Sequence, residues 1–153
     1  MPHLTLVRRI SLLLAAVASL VLVTTSSAFA ATSVSQTTGL TDGQVITISG
    51  SGLTPSSPHK VGVCSTQTYL GIPACTAGTE VTTDATGAFS ISYTATKTNT
   101  NVHKTALPWP LNVPQPTSFT CKGASGVDCQ LLITEHPTDG TKTTVGTYNI
   151  TFL

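Results

Sequence analysis

Apolar and polar residues alternate with a period of two along several short stretches of this chain, and no stretch after the first thirty residues sustains a period of 3.6. Ile46 and Ile48 alternate with Thr47 and Ser49, and Val61 and Val63 with Gly62 and Cys64. Phe89, Ile91 and Tyr93 alternate with Ser90, Ser92 and Thr94. Cys129, Leu131 and Ile133 alternate with Gln130, Leu132 and Thr134, and Tyr148, Ile150 and Phe152 with Asn149 and Thr151. Each such segment can turn one face to a core and the other to water or a partner. Turn residues punctuate them. Thr41-Asp42-Gly43 precedes the Ile46–Ile48 segment, and Asp139-Gly140 separates the last two. Asp84-Ala85-Thr86-Gly87 predicts a hairpin between strands at 80–83 and 88–95. With a first strand near 32–38, the pattern predicts an all-β fold, a seven-stranded immunoglobulin-like β-sandwich whose inward aromatics are Phe89, Tyr93, Tyr148 and Phe152. Residues 98–117 break the pattern. Pro108, Pro110, Pro114 and Pro116 cannot occupy a central strand, so the segment reads as a long surface loop between the fifth and sixth strands.

The first thirty residues read as a leader rather than as part of the fold. Arg8 and Arg9 form a basic start, residues 10–23 an apolar run, and Ala28-Phe29-Ala30 an A-x-A cleavage site. The apolar run is short and wrongly flanked for a membrane span. The expected organisation is therefore a signal peptide at 1–30 and one domain at 31–153. The product is secreted and extracellular, with no stable membrane insertion once the leader is cut. Cleavage removes both arginines and leaves five lysines against six acids, a net charge of −1. No basic stripe remains to follow a phosphate backbone, which argues against direct nucleic-acid binding.

Cys64, Cys75, Cys121 and Cys129 follow an export signal and read as disulfides. Three pairings are possible. The sequential one, Cys64–Cys75 and Cys121–Cys129, is expected because each pair flanks a Gly-containing loop able to turn back on itself. By loop entropy each bridge contributes about 2.5–3 kcal/mol. Ten and seven intervening residues do not resemble zinc-ligand spacing. His59, His103 and His136 read as three histidines on three separate loops, so no metal site is expected. A hydrolytic triad drawn from His136, Asp139 and a serine lacks a G-x-S-x-G elbow, and no enzyme activity is expected. Asn149-Ile150-Thr151 matches a glycosylation acceptor but sits inside a strand pattern.

Five segments in order resemble the neocarzinostatin family, the apoproteins of enediyne chromoproteins from actinomycetes. They are GLTDGQVITISGSGL, VGVCSTQTYLGIPAC, VTTDATGAFSISYTA, DCQLLIT and TYNITF. The resemblance implies a seven-stranded immunoglobulin-like sandwich with a second small ribbon. It also implies a monomeric binding protein that carries a small apolar, enediyne-like chromophore non-covalently and has no other cofactor. Any contact with DNA, and any antibiotic action, would belong to the ligand. This chain departs from the family pattern around the cleft. Ser65, Thr66, Gln67 and Thr68 follow the first cysteine, and the loop before the third is proline-rich.

A carrier cleft needs an apolar concave wall and a few polar groups to orient the ligand. The outward faces of the third and sixth strands are expected to supply a floor of Gly62, Cys64, Gln130 and Leu132, with Gly62 leaving room for a flat ligand. Loop residues Tyr69, Leu70, Ile72, Trp109, Phe119 and His136 are expected as walls. Leu132 is the residue a core does not explain, being apolar on an otherwise polar face. The competing reading is an extracellular interaction module without cargo, whose cleft is filled and whose proline-rich loop makes the contact.

Overall fold

The computed structural model describes residues 29–69, 71–103, 115–122 and 126–153, the side chain of Tyr69 excepted. The expected signal peptide, apart from its last two residues, and the segments containing Leu70, Trp109 and Gly123 lie outside the described residues.

Ten strands form in chain order: β1 (Ala31–Val34), β2 (Gln44–Ser51), β3 (Pro58–Tyr69), β4 (Ile72–Cys75), β5 (Thr79–Thr82), β6 (Phe89–Ala95), β7 (Thr98–Asn99), β8 (Phe119–Thr120), β9 (Cys129–Glu135) and β10 (Thr143–Ile150). One sheet has the order β1-β2-β6. The other has the order β10-β9-β3-β4, with β5 also pairing β3, and β7 and β8 form a separate two-stranded ribbon. Every strand pair within these sheets is antiparallel. Seven of the ten strands correspond to the seven the alternation predicts. The sandwich is all-β, as expected, and β7–β8 is the small ribbon that the resemblance implies.

Alternation places the core. Ile46 and Ile48 of the first sheet face Val61, Val63, Leu131 and Ile133 of the second, and all six are essentially inaccessible. Leu40, Leu53, Phe89, Ile150 and Phe152 close the ends of this cluster. Burying a side chain of this size stabilises by about 1.5–3 kcal/mol. Tyr93 and Tyr148 are half-buried at its margin rather than central. The Tyr148 hydroxyl reaches Thr32 Oγ1 at 2.8 Å and ties β1 to β10 across the open side of the sandwich.

Both sequential disulfides form, Cys64–Cys75 and Cys121–Cys129, with Cα separations of 4.0 and 5.3 Å. Cys64 pairs with Cys75 across β3 and β4, so this bridge lies on the sheet. Cys121, buried beside the ribbon, joins it to the start of β9.

Several expectations change. The Asp84–Gly87 turn does not close a hairpin, because β5 pairs with β3 and β6 with β2. The turn instead carries the chain from one sheet to the other. Asp84 Oδ1 holds it by accepting from the backbone N–H groups of Thr86 and Ala88 at 2.8 and 3.0 Å and from the Thr86 hydroxyl at 2.6 Å. The first strand ends at Val34 rather than near residue 38. The last strand ends at Ile150, and Phe152 makes an isolated bridge to Leu40 instead. The expected loop at 98–117 begins as strand β7, and residues 104–114 lie outside the described residues.

Candidate functional site

The inward face of β3 is His59, Val61, Val63 and Ser65, all buried, so its outward face is Lys60, Gly62 and Cys64. On β9, Leu131 and Ile133 are buried, and Leu132 and Thr134 turn outward. Antiparallel register sets Gly62 opposite Leu132 and Lys60 opposite Thr134. Two rows of outward side chains therefore lie edge to edge, and above them is a cavity of about 310 Å³. That volume is at the lower end of small-molecule sites.

Backbone hydrogen bonds position the rims. His136 follows β9, and its N–H donates to the Pro58 carbonyl at 2.8 Å. The His103 N–H donates to the Cys75 carbonyl at 2.7 Å, and Val102 bridges Thr76. Two histidines 33 positions apart thus reach one cavity, where Lys142 joins them from the segment before β10. The expectation of three dispersed loop histidines is corrected: His103 and His136 converge, and His59 lies within β3, fully buried against Phe89.

Gly62, Cys64, Leu132 and His136 are brought together around the cavity. The reason for glycine at 62 differs in part from the expectation. A Cβ there would lie 3.1 Å from Thr76 Oγ1 and 3.3 Å from Gly78 Cα. The chain just after Cys75 folds over Gly62 and is held by a 3.0 Å hydrogen bond from the Val63 N–H to Thr76 Oγ1. Glycine makes room first for the protein's own backbone.

Other expected residues lie elsewhere. Gln130 stands opposite Cys64, but its amide donates to Asn149 Oδ1 at 2.9 Å, toward β10, and it does not line the cavity. Phe119 lines a separate hollow with Ala74, Pro116 and Val127. Ile72 falls on the same side of β4 as Ala74 by alternation, opposite to Cys75, and is also absent from the cavity wall. Leu70 and Trp109 lie outside the described residues, as does the Tyr69 side chain. Lys60, His103 and Lys142 are among the cavity residues that sequence reading missed, together with residues 75–78 and Thr134. Nothing in their local sequence marks them, because pairing across the sheet and two long-range backbone bonds bring them in.

His136 Nε2 and Thr134 Oγ1 share a 2.8 Å hydrogen bond. Burial holds the His136 proton affinity below the ordinary imidazole value of 6.5, and the charges of Lys142 and then Lys60 lower it further. The folded state therefore binds this proton more weakly than the unfolded chain. The His136 contribution to stability is present above pH 6.5 and lost as pH falls through the lower folded value. An NMR titration of the His136 ring should show a midpoint below 6.5 that moves upward in Lys142→Gln. A midpoint unmoved by that substitution would place Lys142 too far away to act on the site. Asp139 does not engage this imidazole. Its Oδ1 accepts from the Thr141 N–H at 2.9 Å and the Thr141 hydroxyl at 2.7 Å. Among the described residues, no three His, Cys, Asp or Glu side chains converge as metal ligands.

Comparison with known proteins places these features in context. The profile of the Neocarzinostatin family matches residues 32–134. A stretch of 56 residues is 43% identical to macromomycin of Streptomyces macromomyceticus, covering 35% of this chain and 38% of that relative. The aligned part is thus well under half of that protein. Among solved structures, macromomycin superposes with a TM-score of 0.58 at 28% identity, over 81% of this chain and 99% of that one. The solution conformation of apokedarcidin gives 0.54 at 24% identity, over 81% and 98%, a likeness of fold.

Proposed function

The chain belongs to the neocarzinostatin family, and from that premise we propose that it is a secreted, non-enzymatic carrier holding a small apolar, enediyne-like molecule in the cleft over Gly62 and Leu132. The observation that carries this reading is Leu132 itself. It is half-buried, on the outward face of β9, and borders the cavity formed by the described residues. A small-molecule site is a concave wall with apolar side chains and a few polar groups, and Leu132 supplies an apolar side chain in such a wall. The Cys64–Cys75 bridge supplies a second apolar, polarisable surface beside it. The carrier works as a monomer after its leader is removed. It binds no nucleic acid directly, and reactivity toward DNA resides in the cargo.

Native mass spectrometry of the protein from its producer's culture medium, without reduction, tests this. The expected result is the mass of residues 31–153 less four hydrogens, plus a small-molecule mass that organic extraction removes. Recovery of the bare oxidised chain alone, from fresh medium, would move the interaction-module reading ahead of the carrier.

A further inference from the structure

The apolar floor is only half of the cleft. Its rim carries Lys60, His103, His136 and Lys142, and among the described residues no carboxylate side chain lines the cavity. Lys60 is partly neutralised by Glu80, with Nζ 3.1 Å from Oε1. Lys142 has no carboxylate partner among the described residues. The arrangement is local, since the chain beyond its leader has a slight excess of acids.

Resting on the carrier reading above, we infer that the cleft selects an anionic aromatic ligand, with its planar body on Leu132 and the Cys64–Cys75 bridge and its carboxylate, sulfate or phenolate oxygen turned to Lys142 and the two imidazoles. Lys142 is exposed, so a neutral apolar ligand seated here would leave its ammonium in water and gain nothing from it. A cationic ligand would add like-charge repulsion. An anion pairs the ammonium with a charge-assisted hydrogen bond, and a neutral imidazole can donate a further one from its ring N–H. The surroundings of His136 agree, because both lysines act to keep that ring uncharged and leave it a donor or acceptor rather than a third cation. Two lysines in a concavity of this volume suit one small anion and not a polyanionic backbone.

Two fluorescent probes that share a scaffold separate charge from apolar contact: 8-anilinonaphthalene-1-sulfonate and its uncharged parent, N-phenyl-1-naphthylamine. Both would be titrated into the secreted, disulfide-intact protein after organic extraction, at low and at physiological salt. Lys142→Gln should weaken sulfonate binding by about three- to tenfold and leave the neutral probe within about twofold. Added salt should weaken only the sulfonate. Lys122→Gln makes the same change of charge at a lysine bridged to Asp128, away from the cavity, and should alter neither probe. If Lys142→Gln affects both probes equally, or neither, the anionic preference is overturned while the apolar cleft stands. If neither probe binds the unaltered protein, the carrier reading falls with it.

Discussion

Leu132→Arg is expected to weaken binding of N-phenyl-1-naphthylamine by about a hundredfold or more while leaving thermal unfolding nearly unchanged. The loss has two sources. The ligand forfeits an aliphatic contact of about 1.5–3 kcal/mol, and a guanidinium takes its place under an apolar ring. Since each 1.4 kcal/mol is about tenfold in affinity, the two together exceed two decades. Stability survives because the arginine stem can lie along the cleft floor with its charge in the open cavity. Its neighbour should behave in the opposite way. Leu131 has no accessible surface, and Leu131→Arg would place an unpaired charge in the sandwich core. The penalty of several kcal/mol is comparable with the whole stability of a domain this size, so that variant should not fold. Denaturation and probe titration of the pair decide the matter. A large loss of melting temperature in Leu132→Arg would place that residue in the core and sink the cleft assignment.

The contrast between Leu131 and Leu132 also shows what the sequence could reveal. A period of two separates faces without knowledge of pairing, so the strands with sustained alternation were readable, and with them the floor residues Gly62, Cys64 and Leu132. Length set the first limit. Two residues each of β7 and β8 are too short to display a period, and cross-strand bonds define them, as they define β4 inside the first disulfide loop. Turn chemistry set the second. An Asp at the first position and Gly at the fourth fit a hairpin and an inter-sheet crossing alike, and only the pairing of β5 with β3 distinguishes them. The rim of the cavity was the least readable part. His103 and His136 meet through bonds to Cys75 and Pro58, and neither bond leaves a trace in the residues beside the histidines. Phe119 illustrates the reverse error. An aromatic residue just before a cysteine looks like a cleft wall, but the ribbon that carries it turns it to another hollow.

The inter-sheet crossing itself supplies the largest stability prediction short of the core. Gly87→Val should lower the unfolding free energy by about 3 kcal/mol or more, equivalent to about 10 °C or more in melting temperature. Gly87 has φ +76°, and a Cβ there would run into the carbonyl oxygen of Leu53, with Leu53 C at 2.9 Å and N at 3.1 Å. That backbone has little freedom to retreat. The Leu53 N–H donates to the Gly87 carbonyl at 3.0 Å, and the Leu53 side chain is buried in the core. The turn and the end of β2 are thus locked to each other where the chain passes between sheets. Gly43 provides the comparison, having φ +80° with nothing near its missing Cβ. Gly43→Val therefore carries the backbone strain alone, about 1–2 kcal/mol. Urea unfolding of both variants isolates the remainder as the contact with Leu53. Equal losses in the two would mean that the crossing yields to the added methyl groups, and the joint between the sheets would then be softer than its hydrogen bonds imply.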